Sequence, residues 1–176
     1  DGMLGWLEYN LKRALGMEGS GINDQEEGIQ QTQGTIYELK KYECDDFKDG
    51  VSIADMLGQS YDMSFKTLVT VGKSGKYYVF AIPVDKEMDM KKAAKEVGEK
   101  NIEMLHVKDI NAVTGYIRGG CTPIGMKKSY PTVINESAKE HDKIIVSGGR
   151  LGLQIILKPD DLIKVTNGKY ADIIMH

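Results

Sequence analysis

The run Lys76-Tyr77-Tyr78-Val79-Phe80-Ala81-Ile82-Pro83-Val84 constrains the fold more than any other stretch of this chain. It is apolar at successive positions rather than at alternate ones, so both of its faces must be covered. Its aromatic and β-branched content at this length reads as a central, buried strand. Upstream, Ser64-Phe65-Lys66-Thr67-Leu68-Val69-Thr70-Val71-Gly72 reads as its partner, and Lys73-Ser74-Gly75 as the compact turn of a hairpin.

Around that hairpin the elements are short. Residues 3–16 carry Leu4, Leu7, Leu11 and Leu15 at helical spacing and predict a helix that stops at Gly16. Residues 17–33 are rich in Gly, Gln and Glu with little apolar content, and read as a linker. A domain is expected from 34 to 176, set apart from the atypical segment 1–33. Within it, 35–43 reads as a half-buried strand, 51–58 as a short helix, 88–98 as a helix ending at Gly98, 102–106 as a strand and 107–115 as another short helix. Residues 142–149 and 151–158 predict a second hairpin. Pro159 opens a helix where proline is tolerated, and Ala171-Asp172-Ile173-Ile174 closes the sheet. The expectation is an α+β (mixed α/β) fold, with one curled, barrel-like mixed sheet of six or seven strands and no repeated βαβ period.

Composition narrows the function classes. At 176 residues with 41% hydrophobic and 28% charged side chains, the chain can bury a core, and disorder is not the general reading. No apolar stretch reaches the ~18 residues of a membrane span. Cys44 and Cys121 cannot form a disulfide framework, which favours a reducing cytoplasm. Residues 1–60 hold 5 basic and 12 acidic side chains, leaving 18 basic and 14 acidic in 61–176. A pI of 5.7 argues against a bulk DNA binder but leaves room for a local basic pocket.

Familiar catalytic patterns are missing. His106, His141 and His176 are isolated, with no HExxH or paired CxxC, so no zinc site is expected. Gly72-Lys73-Ser74-Gly75-Lys76 lacks the spacing of a phosphate loop, Gly148-Gly149-Arg150-Leu151-Gly152 is not a dinucleotide fingerprint, and no GxSxG elbow occurs. Two features remain. Lys66 sits inside an apolar strand, where lysine is seldom buried alone. Either it snorkels to solvent from a strand end, or it stands at the mouth of a pocket, as a base of lowered pKa or as a cation for a phosphate or oxyanion. The loop Gly119-Gly120-Cys121-Thr122-Pro123-Ile124-Gly125 combines glycine freedom with proline rigidity, so it is either a tight turn or a rigid cradle of backbone groups. Cys121 is a nucleophile or a small buried apolar residue, and Tyr42 a substrate-stacking ring or a core aromatic.

Taken together, FKTLV (65–69), TGYIRGGCTPIGMKK (114–128), PTVINESA (131–138), IIVSGGRLGLQI (144–155) and PDDL (159–162) make residues 35–176 resemble the YbaK-type aminoacyl-tRNA deacylases. These are free-standing relatives of the editing domain of bacterial prolyl-tRNA synthetases. The Gly119–Lys128 run resembles the Cys-tRNA(Pro) deacylase branch. The resemblance implies hydrolysis of the ester that joins a mischarged cysteine to the 3′-terminal adenosine, with the substrate's own thiol or ribose hydroxyl assisting. It places Lys66 at the family's essential lysine and Gly119 at the first glycine of the pocket-lining loop. Gly120, Thr122 (usually Ser), Pro123 and Tyr42 are then the candidate substrate-binding positions. It implies no cofactor and no metal, the aminoacyl-tRNA 3′ end as partner, prolyl-tRNA synthetase as a second partner, and a cytoplasmic setting without DNA or membrane. Ala-tRNA(Pro) editing and a non-catalytic regulatory module of the same fold are the alternatives.

Overall fold

The computed structural model describes residues 28–32 and 35–176; the helix expected over 3–16 and most of the expected linker lie outside the described residues. The chain runs β1 (Gly28–Thr32), β2 (Thr35–Lys41), α1 (Gly50–Leu57), β3 (Phe65–Gly72), β4 (Tyr77–Pro83), α2 (Met90–Glu96) and β5 (Ile102–Met104). A 3-10 turn at Val107–Asp109 leads into α3 (Ile110–Thr114), followed by β6 (Thr132–Asn135), β7 (Ile144–Ser147), β8 (Leu153–Leu157), α4 (Pro159–Thr166) and β9 (Lys169–Ala171).

Local chemistry sets the helix ends. Asp49 caps α1 by accepting from the Ser52 N–H at 2.8 Å, and Gly58 ends it in the left-handed region. Asp89 caps α2 by accepting from the N–H groups of Lys91 and Lys92. Pro159 occupies the first turn of α4, and Asn167 closes that helix at φ 53°.

The strands form two sheets. One is antiparallel, in the order β1-β2-β8-β7. The other is mixed, in the order β5-β3-β4-β6-β9, with β4, β6 and β9 mutually parallel. β4 is central and covered on both faces, which its unbroken apolar run requires. Its Ala81 joins Phe65 and Ile134 in a core shared with Leu39, Val146, Ile155 and Leu157 of the first sheet. Its Tyr78, Phe80 and Ile82 pack on the opposite face against Ala93 and Ala94 of α2 and the C-terminal Ile173 and Ile174.

The expected α+β class holds, but the single curled sheet does not. Two sheets stand in its place because, among the described residues, the backbone pairing of this edge with β7 is confined to an isolated bridge just before β3, Ser64 to Ile145, where the Ile145 N–H donates to the Met63 carbonyl at 2.9 Å. Beyond it the edges part. Two strands exceed expectation. β6 is fully buried beside β4 yet sits in a Gly- and Pro-rich stretch that masks it. β1 falls in the expected linker: it pairs with β2 from Gly28–Leu39 to Thr32–Thr35, and backbone pairing demands no apolar pattern. β9 runs Lys169–Ala171, so it shares only Ala171 with the strand expected over 171–174, of which Ile174 makes an isolated bridge to Met88.

Candidate active site

The parting of the two sheets creates a cavity of about 470 Å³. β5 pairs with β3 only at Thr70–Gly72, and the Leu105 N–H donates to the Val69 carbonyl at 2.9 Å. Below that point the edge of β3 is open toward β7. Strand alternation turns the backbone groups of Thr67 and Phe65 the same way as the Val69 carbonyl, toward this opening. The Thr67 hydroxyl oxygen is buried without a hydrogen-bond partner among the described residues, and Thr67 lines the cavity. A buried hydroxyl left unpaired carries a desolvation penalty.

Lys66, Gly119 and Tyr42 all line this cavity. Lys66 is half-buried and has no hydrogen-bond or ion-pair partner among the described residues. Asp49 feels its charge: hydrogen bonds from Ser52 hold the Asp49 carboxyl below its usual range, and Lys66 adds to the effect. The Tyr42 N–H donates to the Gly152 carbonyl at 2.9 Å, tying the end of the β2 segment to the β7–β8 turn, and burial pushes its phenol up. Gly119 adopts φ +84°, and a Cβ there would stand 2.8 Å from Leu151 Cδ2 and 2.9 Å from Phe47 Cδ2. Only glycine meets both the backbone and the space requirement. The Arg118 guanidinium carbon lies 3.9 Å from the centre of the Phe47 ring, and both residues line the cavity.

Gly120, Thr122 and Pro123 do not line it. Gly120 is buried against the chain at Arg150, where a Cβ would stand 2.8 Å from the Cα. Thr122 is fully buried, with its hydroxyl accepting from the Ile124 N–H at 3.5 Å. Pro123 borders a separate depression of about 190 Å³. The proline fixes the loop from behind while Gly119 alone of these four reaches the cavity.

Cys121 also lines the cavity, but burial pushes its thiol up to about 12, leaving it protonated at neutral pH and a poor nucleophile. Among the described lining residues there is no histidine, and Asp49 is the one carboxylate. Gln59 and Gln154 brace one wall by exchanging amide hydrogen bonds at 2.8 and 3.0 Å. Among the described residues no three or more His, Cys, Asp or Glu side chains gather as a metal site, and no helix is long and apolar enough to cross a membrane. Phe47, Thr67, Arg118 and Gln154 escaped sequence reasoning, since each is a solitary polar or exposed residue brought to the cavity by tertiary structure.

A family model described as an aminoacyl-tRNA editing domain matches residues 46–165. A protein of Enterococcus faecalis that carries the provisional name Cys-tRNA(Pro)/Cys-tRNA(Cys) deacylase EbsC is 49% identical over 137 residues, covering 76% of this chain and 84% of that protein. The fold is similar to a crystal structure provisionally described as a trans-editing enzyme for prolyl-tRNA synthetase, with TM-score 0.75, 20% identity and 96% of each chain covered. It is also similar to the hypothetical protein APE2540, with TM-score 0.72, 22% identity, and 79% of this chain and 91% of that one covered.

Proposed function

This chain belongs to the aminoacyl-tRNA editing-domain family, and on that premise we propose that it is a trans-acting deacylase that removes cysteine from mischarged tRNA. The substrates are Cys-tRNA(Pro) and Cys-tRNA(Cys), the pair in the name of its Enterococcus relative. The observation that carries the reading is the cavity at the parting of the sheets, which Lys66 and Gly119 share although they lie far apart in the chain.

The chemistry follows from what the wall offers. An aminoacyl ester is already activated, so a site needs mainly to position it and to stabilise the oxyanion. The Lys66 ammonium supplies the positive charge. The Gly119 loop supplies close backbone approach. Water adds to the ester carbonyl, the tetrahedral oxyanion forms beside Lys66, and collapse expels the ribose oxygen. Cysteine and free tRNA are the products. The proton leaving the attacking water is relayed by the substrate's thiol or vicinal ribose hydroxyl to the departing ribose oxygen, since the described wall presents no base other than the capping Asp49.

Prolyl-tRNA synthetase, in the cytoplasm, is the partner for Cys-tRNA(Pro): a chain of net charge −3 has little basic surface for reading a whole tRNA unaided. The test is release of labelled cysteine from Cys-tRNA(Pro), Cys-tRNA(Cys) and, for comparison, of alanine from Ala-tRNA(Pro). Release of cysteine well above spontaneous hydrolysis supports the proposal. No release from any of them ends it, and preferential release of alanine reassigns the substrate.

A further inference from the structure

We propose that Phe47 and Arg118 form a stacking platform for the 3′-terminal adenine of the acceptor end, beside the loop that receives the ester. The inference rests on the editing reading above and adds to it the subsite for the base.

Phe47 is 43% exposed, although it is a large apolar ring at the rim of a cavity. Covering such a ring is favourable, and no part of the described protein does so completely. The Arg118 guanidinium carbon lies 3.9 Å from the ring centre, so the cation already sits over one face of the ring. This pair offers a surface on which a base can stack irrespective of its sequence. Its position suits the terminal nucleotide. Phe47 Cδ2 lies 2.9 Å from where a Gly119 Cβ would be, so the ring touches the glycine at which the ester is placed. The ribose then bridges platform and reaction centre.

Charge favours an RNA end over an apolar peptide. Arg118 has no carboxylate partner among the described residues, which leaves its outer edge for phosphate. Lys66 lines the same cavity without an ion pair among the described residues, and Lys48 lines it with its ammonium 3.6 Å from Asp46. The unpaired end of a tRNA presents bases free to stack, together with the phosphates that these cations would meet.

The experiment measures binding of a 5′-fluorescein-labelled CCA trinucleotide by anisotropy, alongside deacylation of Cys-tRNA(Pro). Phe47→Ala is expected to weaken trinucleotide binding about tenfold or more, and Phe47→Trp to restore it. Arg118→Gln is expected to weaken binding and flatten its dependence on salt. In deacylation, Phe47→Ala raises KM far more than it lowers kcat. Unchanged trinucleotide affinity in Phe47→Ala, or no trinucleotide binding by the wild type at millimolar concentration, overturns the platform. Should Phe47→Ala fail to fold, Arg118→Gln decides, and unaltered affinity and salt dependence count against the proposal. Trinucleotide binding that depends on Phe47 without any release of cysteine keeps the platform and removes the editing reading. Cysteine release with a KM indifferent to Phe47 does the reverse.

Discussion

Replacing Lys66 by methionine separates catalysis from folding. Methionine keeps a flexible apolar stem of similar length, so the half-buried part of the side chain still packs. The ammonium is lost, and it forms no ion pair with any described residue. Asp49 feels its charge, but that carboxylate stands in solvent and is held first by Ser52. No buried countercharge is orphaned, so the melting temperature should stay within about 2 °C of wild type. The oxyanion does lose its cation. Unit charges ~4 Å apart interact by about 4 kcal/mol at an effective dielectric of ~20. Each 1.36 kcal/mol is a factor of ten in rate, which sets an upper bound near ~10³. Because the oxyanion charge is partial and the amine half-exposed, the expected fall in kcat is about 10²- to 10³-fold, the range seen for single oxyanion donors. Single-turnover deacylation of Cys-tRNA(Pro) with enzyme in excess measures it directly. A Lys66→Met protein that melts normally and deacylates at the wild-type rate would refute the role given to this amine. One that melts far lower would show that Lys66 acts in folding instead.

Other outcomes follow from particular contacts. Gly120→Ala drives a Cβ to 2.8 Å from the Arg150 Cα, a backbone atom with little freedom to give, and should cost about 1–3 kcal/mol, read as a lower denaturation midpoint at constant m. Tyr116→Phe removes the hydroxyl that donates to the buried Ile124 carbonyl at 2.5 Å and should cost about 1–2 kcal/mol in the same assay. Brief iodoacetamide treatment at pH 8 should label Cys44 in preference to Cys121, whose thiol burial pushes up to about 12; equal labelling on mass spectrometry contradicts that environment. The carboxyls of Asp49, Asp62 and Asp172 are held below their usual range by hydrogen bonds from Ser52, Ser60 and Lys92 respectively. Their folded pKa values lie below the unfolded ones, so their contribution is complete above about pH 4 and is lost as pH falls through the folded values. Melting temperature followed from pH 6 down to pH 2.5 should therefore drop below about pH 4, and Asp172→Asn should reduce the drop.

Much of the fold is legible wherever side-chain pattern and backbone role coincide. The β3–β4 hairpin announces itself by its apolar runs and Gly75, and α4 by Pro159. β6 does not, because its four residues are wedged between Pro131 and a polar 3-10 turn, and burial on all sides leaves no alternation to see. The division into two sheets is invisible for another reason. It depends on where β3 and β7 stop touching, a fact about tertiary distance that no local pattern encodes. The cavity inherits that blindness. Lys66 stood out because it is a lysine among apolar neighbours, and Gly119 because of its doublet with Gly120. Phe47 and Arg118 carry no mark in the chain, since what distinguishes them is that the cation sits over the ring. Thr122 and Pro123 stand out in the chain just as plainly, but the structure places both outside the lining of the cavity.

The bridge between Ser64 and Ile145 leaves the cavity walled largely by strand edges and connecting segments rather than by the packed interior. Exposed rim residues such as Phe47, Met104 and Val107 can therefore change in size with small consequence for the buried clusters. A scaffold divided in this way lets selection reshape the rim while the buried clusters stay as they are. The same arrangement makes the rim the natural place to begin if the substrate preference is to be redesigned.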